Sequence, residues 1–196
     1  MSEKLQCALS AIDEANARDP NRAAEEPAEL AYGRRMSEAL ARFAPEASEP
    51  LRIAVRGQHI ERWKSPRRDF PEGKAGYIAW RNEAKRRHGE RLAEIMAGCG
   101  YDKSTIDRVR ALVRKENLRR DGEAQTLEDV ACLVFLRFYA EDFAAKHPGD
   151  KVFDILVKTQ RKMSPGARAA GLEFDLPAPV LALYRQGLKA LEGTRS

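Results

Sequence analysis

The sequence predicts an all-α fold, a single-domain multi-helix bundle, and three observations carry that expectation. Apolar residues recur at three- and four-residue spacing in nearly every segment. No segment alternates apolar and polar residues over the length of a strand. The punctuation is helical, with Ser or Asp ahead of apolar runs and Gly or Pro behind them. A chain of 196 residues is long enough for one well-cored domain and short for two. The domain is expected to span residues 1–196, with its core over about 5–190.

Leu5, Ala8, Leu9 and Ile12 form one amphipathic stripe, which ends before the turn Asp19-Pro20-Asn21. A second helix is expected from about Pro27 to Pro45, with Leu30, Met36, Leu40 and Phe43 inward. Ser48 caps a third, which is expected to carry Arg56-Gly57-Gln58-His59-Ile60-Glu61-Arg62-Trp63. A loop with two prolines and two glycines, KSPRRDFPEGKAG, then stops it. The next helix starts near Tyr77 and ends at Gly98 and Gly100. Ser104 or Asp102 caps another, with Ile106, Val109, Leu112 and Val113 at helical spacing. The run LEDVACLVFLRFYAEDF is apolar on nearly every side and is expected to be the central helix. A helix from about Asp150 to Met163 precedes a Ser-Pro-Gly break, and a last one runs from about Pro177 to near Glu192. Ile53, Leu112, Val130, Leu133, Val134 and Phe135 are the expected core.

Composition narrows the functional classes. Hydrophobic residues make up 43% and charged residues 33%, which excludes wholesale disorder. No apolar run approaches the roughly 20 residues needed to span a bilayer, so no membrane partner is expected. The N-terminal stretch carries four acidic residues and no apolar core, unlike a signal peptide, and a cytoplasmic protein is expected. Cys7, Cys99 and Cys132 have no paired spacing and read as buried thiols of a reducing compartment. The net charge of +5 permits a phosphate-bearing ligand or RNA without requiring either.

Three constellations stand out. His59 lies beside Gln58, Glu61 and Arg62, with Trp63 next and Arg67 and Arg68 in the loop beyond. At helical spacing His59 shares a face with Arg62 and Trp63. On the long helix Arg81, Lys85 and His88 fall at i, i+4 and i+7, with Trp80 and Ala84 on the neighbouring line. Glu128 and Asp129 open the most apolar helix, where the helix dipole favours carboxylates; a pair directed into the molecule is the competing reading. His59, His88 and Asp129, with Glu128, are the candidate catalytic residues. The first three would suit iron, manganese or zinc as a divalent metal. Arg62, Arg67, Arg81 and Lys158 are candidates for gripping the phosphate of a small ligand, and Trp63, Trp80 or Tyr77 for stacking on its base.

The segments ELAYGRRM, RIAVRGQHIERW, SPRRDFP, AGYIAWRNEAKRRH, EAQTLEDVACLVFL and KTQRKMSPGAR together resemble the family catalogued as domain of unknown function 4202, sometimes labelled glutamyl-tRNA synthetase-like. The resemblance covers roughly residues 5 to 190 and implies a helical fold without an established activity. QHIERW and RKMSPG are similar to two ATP-binding signatures of class I aminoacyl-tRNA synthetases, but those work at strand ends, which this chain lacks. A more distant likeness is to HD-domain metal-dependent phosphohydrolases. It would put His59 in their histidine position, Asp129 in place of their final aspartate, and His88 in place of an accessory histidine. Tyr32 and Ile60 stand where two of their metal ligands belong, and Glu116 where a further accessory histidine is common.

Two functions follow as expectations. One is an HD-like enzyme, possible as a metal-dependent hydrolase, acting on a small phosphorylated or nucleotide-like ligand. The other is a non-catalytic RNA- or protein-binding module. Its basic surface would be Lys85, Arg86, Arg87 and Arg91 on one helix, and Arg108, Arg110, Arg114, Lys115, Arg119 and Arg120 on the next.

Overall fold

Helix starts follow their local chemistry. In a computed structural model, which describes residues 1–118 and 120–193, Ser2 caps α1 (Glu3–Asn16) and Ser48 caps α3 (Glu49–Arg56). Asp102 caps α5 (Lys103–Arg114), Asp121 caps α6 (Gly122–Phe138), and Ser164 caps α9 (Pro165–Ala170). Each side chain accepts a backbone N–H of the first turn. The remaining helices are α2 (Ala28–Phe43), α4 (Gly73–Gly98), α7 (Ala140–Ala145), α8 (Gly149–Lys162) and α10 (Ala178–Gly193). A two-residue antiparallel ribbon, β1 (Arg22–Ala23) with β2 (Glu26–Pro27), interrupts the all-α pattern between α1 and α2.

The apolar periods build one core that runs from Leu5 to Tyr184. At its centre lies α6, packed against α2, α3, α5, α8 and α9; its Leu127, Val130, Leu133, Val134 and Leu136 are fully buried. Ile53 and Leu112 are buried as expected, whereas Phe135 is only half-buried because it faces a cavity. Arg56 ties α3 to α1 through two bonds to Asp13, Nε to Oδ1 at 2.7 Å and Nη2 to Oδ2 at 2.5 Å.

Four expectations change. The third helix stops at Arg56, because α3 meets α4 at Gly57: a Cβ there would lie 2.4 Å from Leu92 Cδ2. The His59 segment is therefore a turn. The central helix breaks at Tyr139, before α7. The Ser-Pro-Gly break ends α8 and also begins α9, with Pro165 in the first turn where its missing N–H costs nothing. Finally, Cys7 and Cys99 are joined in a disulfide that fastens α1 to the end of α4, so only Cys132 fits the expectation of a buried free thiol. The pairing bridges 92 residues of sequence, so spacing gave no sign of it. Among the described residues no helix is long and apolar enough to cross a membrane.

Candidate functional site

The turn after α3 places His59. Glu61 adopts a left-handed conformation at φ 52°, and its N–H donates to Asn16 Oδ1 at 3.0 Å. The turn sends Ile60 into the core and leaves His59 at the wall of a cavity of about 400 Å³. That volume falls in the range of about 300–1,000 Å³ usual for small-molecule sites. From α4 come Tyr77, Trp80, Arg81, Ala84, Lys85 and His88, which share a face by their three- and four-residue spacing. Tyr32 of α2, Lys115 after α5, Glu128 and Phe135 of α6, and Lys162 of α8 close the rest.

Both histidines are neutral. The His59 ring stacks on Tyr32, with centroids 4.4 Å apart and planes at 13°. Arg62 Nη1 donates to it from the edge, 2.9 Å from Nε2 and 3.2 Å from Nδ1. Burial and the Arg62 charge hold His59 well below the ordinary histidine range. Burial likewise pulls His88 down to about 4, although its ring meets the Ile60 carbonyl. That oxygen, 2.7 Å from Nδ1, can only accept, so Nδ1 carries the proton and Nε2 keeps its lone pair. The two rings are 6.1 Å apart.

The charge balance of the wall is cationic. Arg62, Arg81, Lys85, Lys115 and Lys162 face one carboxylate, Glu128, among the described residues that line the same cavity. Lys115 is bonded directly to Glu128 and Lys162 Nζ lies 4.0 Å from it. Burial would raise the Glu128 carboxyl, but Lys115, Lys162 and Arg81 hold it below the usual carboxylate range. Among the described residues, Arg62, Arg81 and Lys85 form no ion pair within 4.0 Å; Arg81 reaches only the Tyr77 hydroxyl, at 3.3 Å. Burial, with Arg81 and Lys115 close by, lowers the Lys85 amine from its ordinary value.

The other candidates fall elsewhere. Asp129 is buried away from the cavity, accepting from Ser164 N at 2.8 Å and Gln125 Nε2 at 2.9 Å, and so ties α6 to the start of α9. Its role follows from the helix turn, which puts neighbouring residues about 100° apart and sends Glu128 to the cavity instead. Arg67 is spent on its own loop, donating to the carbonyls of Phe70 and Pro71 at 2.8 and 2.7 Å. Lys158 lies on the outer face of α8, paired with Asp154 at 2.5 Å. Trp63 is half-buried and does not line the cavity. Trp80 does, but its Nε1 donates to Ser65 O at 2.8 Å, and Arg62 sits over the ring at 5.0 Å, which displaces a base from that face.

A divalent metal does not fit this donor set. His59 already meets a guanidinium, Asp129 is turned away, and Glu128 is held by lysines. Among the described residues no group of three His, Cys, Asp or Glu side chains is placed to hold an ion. Tyr32 stacks on His59, and Ile60 contributes its carbonyl to His88.

Sequence reasoning passed over Lys115 and Glu29 as site residues, and read Lys162 as a lysine suited to its helix end or to a ligand phosphate. Lys115 was counted as surface, and the left-handed turn at φ 58° that swings it inward has no sequence signature in a lysine. Glu29 sits in the first turn of α2, where a carboxylate needs no further reason. Its Oε2 lies 3.8 Å from His59 Nδ1, and burial, against the pull of Arg62, pushes its carboxyl up to about 7.

The expected basic surface is largely neutralised. Glu83 holds Arg86 and Arg87, Glu94 and Glu61 hold Arg91, Asp121 and Glu123 hold Arg108, and Glu90 holds Arg110 and Arg114. Arg119, the other basic residue of that stretch besides Arg120, lies outside the described residues.

No curated protein and no solved structure matches the chain. A family model does, over residues 6–184. That span includes every helix lining the cavity, and the chain belongs to the family described as Domain of unknown function (DUF4202).

Proposed function

We propose that the cavity between α2, α4, α6 and α8 recognises a small phosphorylated, nucleotide-like ligand through its phosphate. One observation carries the reading: Arg62, Arg81 and Lys85 line a concave wall with no carboxylate within 4.0 Å among the described residues. Cations held together against their mutual repulsion are poised to gain from an anion, and guanidinium groups grip phosphate bidentately. Neutral histidines suit such a site, because a lone pair on His88 Nε2 accepts from a phosphate or sugar hydroxyl. The residues support recognition more strongly than hydrolysis. A metal-bound water needs a firmly held ion with an open position, and the donor set does not fit one. RNA binding through the outer helices is the weaker reading, since most of those arginines are already paired.

Isothermal titration with orthophosphate and nucleoside monophosphates at low salt tests this. Losing one charge-assisted bond costs about 1.5–3 kcal/mol, so Arg81→Ala should weaken binding roughly 10- to 100-fold. Arg67→Ala and Lys158→Ala should leave it unchanged. Equal effects from all three substitutions, or no binding of any phosphate-bearing probe, would overturn the reading.

A further inference from the structure

Tyr32, His59, Arg62, Ala131 and Phe135 line the cationic cavity on one side and a second cavity, of about 420 Å³, on the other. Ala23, Ala28, Glu29 and Tyr139 close the second one. The small ribbon gains a purpose here, since Ala23 of β1 and Ala28 at the start of α2 form part of its wall. The two chambers differ in chemistry. The first carries lysines and arginines; in the second, apart from the shared Arg62 and His59, the walls are alanines and aromatic rings, with Glu29 as the one carboxylate among its described lining residues. Tyr32 and Tyr139 stand with ring centroids 6.1 Å apart at 52°, and the Tyr139 hydroxyl is fixed by Arg35 Nη1 at 3.1 Å. An apolar recess with a few placed polar groups is the usual form of a site for the organic part of a ligand.

Resting on the phosphate reading above, we propose that one ligand occupies both chambers: its phosphate lies among Arg62, Arg81 and Lys85, and a flat ring bearing a hydrogen-bond donor lies in the second chamber facing Glu29. The ligand class is thus a nucleotide-type phosphate monoester whose ring carries an amino group. Arg62 and His59 stand at the junction, where the phosphate joins the organic part. The aromatic faces of Phe135 and Tyr139 offer the ring its contact, and they replace Trp80, whose face Arg62 covers. Glu29 reads the donor. Burial keeps its carboxyl near neutrality in the free protein, so a donor arriving there favours the ionised form and gains a charge-assisted bond.

The experiment is titration calorimetry of the full chain with orthophosphate, adenosine, AMP and purine riboside 5′-monophosphate, whose ring lacks the amino group and any other N–H donor, on the wild type, Ala28→Trp and Glu29→Gln. AMP should bind more tightly than orthophosphate or adenosine, and more tightly than purine riboside monophosphate by roughly 10-fold, the effect of leaving a buried polar group unmatched. Ala28→Trp fills the second chamber and should reduce AMP to the affinity of orthophosphate, while orthophosphate binding persists and reports an intact fold. Glu29→Gln, which preserves shape but removes the charge, should shrink the preference for AMP over purine riboside monophosphate, and it decides the matter if Ala28→Trp does not fold. AMP binding untouched by Ala28→Trp, or an AMP preference untouched by Glu29→Gln, overturns the two-chamber proposal while the phosphate site stands. Failure of orthophosphate and AMP alike overturns the phosphate reading and this proposal with it.

Discussion

Lys115→Met should destabilise the fold by about 3 kcal/mol, because it leaves a carboxylate buried without its main partner. The side chains of Lys115 and Glu128 are each only 11% exposed, so solvent screens their interaction little. Removing one member of a buried pair costs about 3–5 kcal/mol. The low end applies here, since Lys162 Nζ is already 4.0 Å from the other carboxylate oxygen and can move closer. Methionine keeps the length of the stem and meets the same backbone strain at φ 58° as lysine does, which isolates the charge. For a chain of this size the loss corresponds to roughly 6–12 °C in Tm. Urea unfolding followed by circular dichroism measures it. The double variant Lys115→Met/Glu128→Leu should recover most of the loss, because an apolar pair of similar volume is often as stable as a buried ion pair. A single-variant loss below about 1 kcal/mol, the range of exposed pairs, would refute the argument. So would a double variant less stable than the single one.

Four other outcomes follow from the geometry. Acidification should destabilise the protein between about pH 6.5 and about 4. The depressed histidines take up protons in the unfolded chain before the folded one, so their contribution is complete above 6.5 and lost as pH falls toward the folded value of His88; His88→Gln should flatten that part of a Tm-against-pH curve, and an unchanged slope would count against the neutral, Nδ1-protonated ring. Glu29 acts in the opposite sense, its contribution fading as pH rises through about 7, and Glu29→Gln should make stability flatter there. Gly76→Ala should cost about 1–3 kcal/mol and weaken orthophosphate binding in calorimetry, since a Cβ would fall 1.8 Å from the Pro71 carbonyl oxygen and push the loop from α4 next to Tyr77 and Arg81; full stability in urea would show that the loop yields freely. Cys7→Ser should lower stability by about 2–4 kcal/mol under oxidising conditions and not under reducing ones, read from paired melts with and without dithiothreitol.

The helices were legible because apolar period and caps point the same way: Ser48, Asp102 and Asp121 each stand where a first-turn N–H needs an acceptor. The face of α4 was legible too. Arg81, Lys85 and His88 share a line in sequence and a wall in space, since a helix of unbroken period carries its spacing into the fold. Where the backbone leaves regular structure, spacing loses that force. Gly57 ends α3 through its contact with Leu92, a long-range event with no local signature. Yet Arg62 still meets His59, because a tight turn also brings residues three apart together. Lys115 and Glu29 went unread for another reason: lysine after a helix and glutamate at its start are ordinary surface choices, and only the tertiary packing buries them. Asp129 and Glu128 show the limit most sharply. Adjacent in sequence, they part by one helical step, and the sequence-level likeness selected the one that turns to the start of α9, where it accepts the Ser164 N–H.

That single step decides which carboxylate faces the cavity. Had Asp129 faced the cavity with His59 and His88, two imidazoles and a free carboxylate would have offered a cation three donors. Instead the inward carboxylate is Glu128, and its charge is already met by Lys115. His59 meets Arg62, a group that only donates, so the lone pair a metal would need is engaged. The cations without a carboxylate within 4.0 Å among the described residues are Arg62, Arg81 and Lys85. Placing a divalent cation among them would add repulsion at every wall, whereas a phosphate would relieve it at each. Burial is the main reason both histidines are held in the neutral form, and the Arg62 charge adds to it, since protonating either would put one more charge beside that guanidinium. On the phosphate reading proposed above, the two neutral histidines would line an anion pocket, with Tyr32 as a stacking face for His59 and the Ile60 carbonyl as the acceptor for His88.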